Sequence, residues 1–351
     1  MENYRIKDIA EMAKVSVGTV DRVLHNRGRV SEESLRKVKK VLKKIDYHPN
    51  LIARSLASKK DCRIMVLMPS FASDEYWSAV SDGVDKAEEE FFGFHLKVER
   101  KYFNQYDKLS FDALVEELKQ DEYQGVVIAT LFRDSTFELT QRLDKEKIPY
   151  VLIDAYIEDT NCVAYYGTDS YQSGYIGGRL LFENIMRDEK VLLFRVISRG
   201  GVESTQISMR ENGFRDYLNE VGFCGSIYSV SVSAEFPEKN KSVLDAILER
   251  ESDITAGIIF NSRVHVVASY FQEKQLKNFS LIGYDAIKSN IAFLKSGIVS
   301  HLVAQRPEVQ GYNSVKALFH YIVLNQAVRK MNYMPMDILI KENIEFYNNY
   351  I

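Results

Sequence analysis

Apolar positions recur along this chain with two different periods, and the change between them divides it. Up to about residue 58 the period is helical. Ile6, Ile9, Ala10 and Ala13 stand at i, i+3, i+4 and i+7, one face of a helix. Lys14-Val15-Ser16 breaks the pattern. Ser16 is placed to cap a second helix that turns Val20, Val23 and Leu24 inward and leaves Val17, Gly18, Asp21 and Arg22 outside. Ser31 with Glu32 and Glu33 reads as a third helix start, carboxylates at the positive end of the dipole. Leu35, Val38, Leu42 and Ile45 make its apolar stripe, and Lys37, Lys39, Lys40, Lys43 and Lys44 cover the outside. Pro49 disfavours helix in the residue before it, so the bundle ends near His48. Asn50 can then cap a short helix from Leu51 to Ala57. So short a helix is marginal alone in water and is expected to form only against DNA or a second copy of the chain.

From Arg63 the rhythm is that of strands. RIMVLMP, FHLKVER, GVVIAT, YVLIDA, CVAYYG, KVLLFRVI, SIYSVSV, AGIIFN, FSLIGYD and IVSHLVAQ are short apolar runs. Most are separated by helical pattern such as Tyr76 to Phe92 and Ser204 to Val221. That alternation predicts parallel sheets covered by helices. Ten strands are many for one sheet, so two sheets are expected, forming two lobes with a cleft between them. Ligands of such sheets sit beyond the carboxyl ends of the strands.

Charge separates the two regions. Residues 1–60 hold 15 Lys and Arg against seven Asp and Glu, a net of +8; the whole chain is −3, so the remainder carries −11. Two helices joined by a tight turn, the second exposing Arg22, fit a helix-turn-helix for the DNA major groove. A small three-helix protein-binding module is the alternative. The basic head on an acidic body favours phosphate neutralisation at one end. At 351 residues, two or three domains are expected. The amino terminus lacks the apolar core of a signal peptide and no run of 18 apolar residues occurs, so a cytoplasmic protein without membrane partners is expected. Cys62, Cys162 and Cys224 are scattered and odd in number; each reads as a small buried hydrophobe, with no disulfide and no metal site.

IKDIAEMAKVSVGTVDRVL, VSEE and YHPNLIARSL closely resemble the head of the LacI/GalR bacterial transcription regulators, over nearly the whole head and with the family's spacing. The body resembles, more weakly and over about 280 residues, the type I periplasmic sugar-binding fold of the ribose-binding kind. The fold expected is an all-α helix-turn-helix head with a hinge helix, then an α/β two-lobed sensor built on two doubly wound parallel sheets. The expected boundaries are 1–48 for the head, 49–61 for hinge and linker, and 62–351 for the sensor. Within the sensor, 62–164 and 297–325 are assigned to the amino-terminal lobe, and 165–296 and 326–351 to the other. In the resembled family the hinge helix pairs with that of a dimer mate, and a leucine corresponding to Leu56 wedges into the minor groove. Val17, Gly18 and Arg22 fall where sequence choice is made. From its chemistry, Arg22 can give guanine two hydrogen bonds, and Val17 offers a methyl surface suited to thymine. Thr19, His25, Asn26, Arg29 and Ser31 are candidate phosphate contacts. Asn50 and Ala53 join Leu56 as expected hinge contacts.

A sugar needs carboxylate, amide and guanidinium partners for its hydroxyls and an aromatic face for its ring. Strand ends supply Ser70, Tyr76, Trp77, Asp154, Arg210, Asn261, Asp285 and Gln305. By resemblance each stands where sugar-binding relatives place a ligand contact. Each also has a plainer reading: Asp154, Asp285 and Asn261 as helix caps, Arg210 as a surface ion pair, Trp77 as core. One departure concerns Asn261-Ser262-Arg263, where relatives usually follow the Asn with Asp. Arg263 either favours an anionic ligand or turns to solvent. The reading is a homodimeric repressor of transcription whose operator affinity a small carbohydrate or polyol controls, with no cofactor. The rivals are a ligand-independent architectural DNA binder and a sugar-processing enzyme. No Gly-rich phosphate loop, zinc motif or nucleophile elbow supports the enzyme.

Overall fold

A computed structural model describes residues 6–24, 30–45, 61–118, 122–196, 204–233, 238–251, 253–276 and 279–347. The chain forms two compact units, Met1–Ser58 and Lys59–Ile351. Among the described residues no helix is long and apolar enough to cross a membrane.

In the first unit α1 (Ile6–Ala13), α2 (Val17–Leu24) and α3 (Glu32–Lys44) close on Ile9, Ala10, Ala13, Val20 and Val38, with Val23, Leu24 and Leu42 packed against them. Both predicted caps are present. The Ser16 hydroxyl accepts from the Thr19 amide at 3.2 Å, and the Ser31 hydroxyl from the Ser34 amide at 3.3 Å. These bonds satisfy helix-start amides that have no partner within the helix. The expected hinge helix and the boundary at residue 48 lie outside the described residues, as do His25, Asn26, Arg29, Asn50, Ala53 and Leu56.

The second unit runs β1 (Cys62–Pro69), α4 (Tyr76–Phe91), β2 (Leu96–Phe103), α5 (Lys108–Glu117), β3 (Gly125–Ala129), α6 (Arg133–Glu146), β4 (Tyr150–Asp154) and β5 (Ala164–Gly167). There follow α7 (Ser170–Phe182), β6 (Lys190–Val196), α8 (Thr205–Glu220), β7 (Ser226–Val232), α9 (Glu238–Arg250), β8 (Ile254–Ile259), α10 (Val264–Glu273), β9 (Ser280–Tyr284), α11 (Lys288–Ser296) and β10 (His301–Ala304). The chain ends with α12 (Pro307–Ile322), β11 (Met331–Tyr333) and β12 (Asp337–Leu339). One sheet has the order β11-β5-β4-β3-β1-β2 and the other β12-β10-β9-β8-β6-β7. All pairs are parallel except β10 with β12. Central strands such as β3 and β4 are buried at every residue, as sheets covered on both faces require.

Sheet membership corrects the expected lobe boundaries in three places. β5 pairs with β4 through Asp154↔Gly167, so the first crossover follows Gly167 and not residue 164. β10 pairs with β9 and belongs to the second sheet, although 297–325 was assigned to the first lobe. β11, expected in the second lobe, pairs with β5. Apolar period marks a strand but says nothing of which ladder accepts it. Three residues of mixed polarity, as in β11 and β12, do not even mark the strand.

Both lobes seat a helix pair on facing glycines. A Cβ at Gly174 of α7 would stand 1.8 Å from the Arg210 carbonyl oxygen of α8, and one at Gly213 2.0 Å from that of Tyr171. Gly83 and Gly311 play the same part between α4 and α12. Gly174→Ala should force α7 off α8 and cost about 1–3 kcal/mol, read as a fall in melting temperature. Cys62 and Cys162 are buried as expected, but Cys224 is exposed, in the turn after α8.

Candidate functional site

On the head, Val17 is 50% exposed, and Gly18 and Arg22 are exposed on the same helix. A Cβ at Gly18 would meet only the Ser16 hydroxyl, at 3.9 Å. Among the described residues of the head nothing therefore requires glycine there, which leaves this face of α2 open to close approach of another molecule. Thr19 is half-buried, its hydroxyl 2.9 Å from that of Ser16. Ser31 is exposed while capping α3.

In the sensor, Tyr76, Trp77, Asp154, Asn261, Asp285 and Gln305 line one cavity of about 90 Å³. It lies where the carboxyl ends of both sheets face each other. Ser70 is not among its walls: it is exposed, and its hydroxyl donates to the Phe103 carbonyl at 3.3 Å. Arg210 stands behind the lining, 1% exposed. Its Nη1 donates to the Phe260 carbonyl at 2.7 Å and its guanidinium lies 4.2 Å over the Tyr284 ring. A surface ion pair is thereby excluded for it.

The two carboxylates share an unusual backbone. Asp154 has φ +84° and Asp285 φ +65°, a left-handed conformation that a residue other than glycine holds only where its surroundings impose it. Here they do. The Tyr165 hydroxyl donates to the Asp154 carbonyl at 3.1 Å, and the Asp285 amide donates to the Val303 carbonyl at 3.0 Å. Asn290, fully buried, donates through Nδ2 to the carbonyls of Ser262, Tyr284 and Asp285, each at 3.0 Å. Neither aspartate caps a helix. Asp154 accepts from Gln206 Nε2 at 2.6 Å and Asp285 from Gln305 Nε2 at 3.1 Å. Burial raises the Asp154 carboxyl to about 7, against the pull of Arg210, and Asp285 adds to the rise. Burial likewise raises Asp285, with Arg210 and Gln305 opposing. Two buried carboxylates around one guanidinium offer acceptors suited to hydroxyl donors. Trp77, 5% exposed and edge-on to Tyr76 at 5.0 Å, supplies the apolar face. Asn261 does not cap α10, whose N-cap is Arg263; its Oδ1 accepts from the Arg263 amide at 3.0 Å in the turn before that helix.

Of the lining residues that the sequence reading missed or misjudged, Gln206, Arg195 and Arg263 matter most. Gln206 stands one helical turn before Arg210, so the i,i+4 relation offered a signal for it. Arg195 interrupts the apolar run of β6 at its carboxyl end, a second readable signal; it grips Glu211 through two contacts of 2.6 and 2.7 Å. Arg263 neither turns to solvent nor stands ready for an anion. It pairs with Glu75 at 2.5 Å and with the Tyr106 hydroxyl at 3.1 Å. Those partners lie some 160 to 190 residues away in sequence, and no local pattern shows them.

Comparison with known proteins matches residues 5–50 to bacterial regulatory proteins of the lacI family and 64–326 to a periplasmic binding protein domain. A ribose operon repressor of Halalkalibacterium halodurans is 28% identical over 298 residues, 80% of each chain. A solved structure described as a LacI transcriptional regulator from Bacteroides fragilis is 35% identical, with a TM-score of 0.78, covering 82% of this chain and all of the other. A glucose-galactose binding protein of Geobacillus stearothermophilus, 22% identical with a TM-score of 0.67 over 81% of this chain and 99% of its own, shares the fold. The ribose operon repressor and the LacI regulator are transcription regulators and not enzymes, and with a basic three-helix head and a two-lobed sensor, the chain belongs to the lacI family of bacterial transcription regulators.

Proposed function

We propose that this regulator binds a near-palindromic operator as a cytoplasmic homodimer, and that a single sugar ring or similar polyol held between its lobes sets its grip on DNA. The observation that carries the effector half is the cavity itself: Asp154, Asp285, Asn261 and Gln305 gathered round a tryptophan face in a space of about 90 Å³. A space of that size suits a small ligand. The ribose operon repressor relatives favour a pentose. For DNA, Arg22 and Val17 would read base edges, and His25, Asn26, Arg29 and Ser31 would hold phosphates. Asn50, Ala53 and Leu56 would engage the minor groove through the paired hinge. Two heads are needed because one makes too few contacts for a specific site. Lobe closure would be coupled to the hinge by the effector's unequal affinity for the two states.

The test is a panel of aldopentoses and aldohexoses titrated into the protein while Trp77 emission and melting temperature are followed. One member should saturate the fluorescence and raise the melting point, since a ligand of the folded state stabilises it. A panel without effect on either would overturn the effector assignment and leave a ligand-independent DNA binder.

Sugar hydroxyls donate to the ionised form of Asp154, whose carboxyl burial raises to about 7. Binding should therefore release a proton near neutrality, and affinity should fall as pH drops through that value. Calorimetric titration in two buffers of different ionisation enthalpy measures the release directly; identical heats in both would rule it out. The dependence should vanish in Asp154→Asn.

A further inference from the structure

Arg263 crosses from one lobe to the other. It follows β8 in the second sheet's lobe, whereas Glu75 precedes α4 and Tyr106 follows β2, both in the first. Its Nη1 reaches Glu75 Oε1 at 2.5 Å and its Nε donates to the Tyr106 hydroxyl at 3.1 Å. Arg263 and Tyr106 are walls of the cavity. The side chains of the ion pair are 15% and 21% exposed. A second bridge between lobes, Lys288 to Asp74, is 3.5 Å long with side chains 82% and 58% exposed, so water and salt leave it little strength. Arg263 is also held ready on its own side. Its amide donates to the Asn261 side chain at 3.0 Å, and Asn290 anchors the Ser262 carbonyl. An arm fixed by its own loop loses little further freedom when it meets its partner.

We propose that Arg263, with Glu75 and Tyr106, is the bolt that holds the lobes shut over the cavity, and that its strength sets how much effector is needed to close them. The effector binds tightly only to the closed form. Its apparent affinity is the intrinsic one scaled by the closed fraction, and the bolt raises that fraction through Glu75, which is not among the walls of the cavity. A neutral sugar then acquires a salt-dependent affinity, although it carries no charge.

The chain's single tryptophan tests this without any ligand. Trp77 lines the same cavity and is 5% exposed when the lobes are closed. Acrylamide, a neutral quencher, should reach it more easily in Glu75→Gln and Arg263→Gln than in the parent protein. Raising sodium chloride to about 1 M, where the Debye length shrinks to about 3 Å, should increase quenching in the parent and leave both variants unchanged. Lys288→Ala should behave as the parent. Should either variant fail to fold, the salt response of the parent alone decides. Equal quenching in all proteins, or a parent insensitive to salt, overturns the bolt.

A second arm rests on the sugar reading above. With a sugar that binds, Glu75→Gln should weaken apparent affinity about three- to tenfold, and unchanged affinity overturns the proposal. If no sugar binds while quenching still answers to salt, the effector assignment fails and the bolt stands.

Discussion

Arg210→Met should cost about 3–5 kcal/mol of stability and remove effector binding. The guanidinium is 1% exposed and its charge opposes the upward shift of both Asp154 and Asp285. Methionine fills much of the volume, so the loss comes mainly from charge left uncompensated. For a sensor of this size the melting temperature should fall by roughly 10 °C. The pH dependence distinguishes charge from packing. Without the cation both carboxyls titrate higher still, above their values in the unfolded chain. A carboxyl raised in the fold carries no penalty below its unfolded value, near 4, and its full penalty above its folded value. The variant should therefore melt closer to the parent at pH 5 than at pH 8. A deficit equal at both pH values would show that shape, and not charge, is what Arg210 supplies. Adding Asp285→Asn should recover part of the loss at pH 8.

Arg22→Ala should weaken operator binding by about 1–3 kcal/mol for each half-site, roughly ten- to a hundredfold, while binding to random duplex changes far less. Arg22 is exposed on α2 beside Val17 and an unobstructed Gly18. A guanidinium reading a base edge affects one sequence; one touching phosphate affects all sequences alike and lowers the salt slope by about one. Gel-shift titrations against operator and random DNA over a range of salt separate the two. An equal loss on both would move Arg22 from base readout to phosphate contact.

The head was legible because its determinants are local. Ile9, Ala10, Ala13, Val20 and Val38 meet through the helical period, and Ser16 and Ser31 cap helices that start within a few residues of them. The strands of the sensor were legible for the same reason. Alternation of apolar runs and helices is written in neighbouring residues, and it brings polar groups to strand ends. That placed Asp154, Asp285, Asn261 and Gln305 on one cavity from sequence alone. Ser70 misled because its strand end lies outside that cavity, and the Phe103 carbonyl takes up its hydroxyl.

What only the tertiary structure decided depends on contacts between distant residues. The ladder pairs Leu302 with Gly283 and Met331 with Tyr165, and so assigns β10 and β11 to sheets that no local pattern distinguishes. Burial of Asp154 in the cleft raises its pKa against the pull of Arg210, a property of the cavity and not of the residue. Arg263 finds Glu75 across 188 positions. A one-dimensional period encodes which face of an element is apolar. It carries no record of which faces meet, and the charges in this cleft acquire their roles from that meeting.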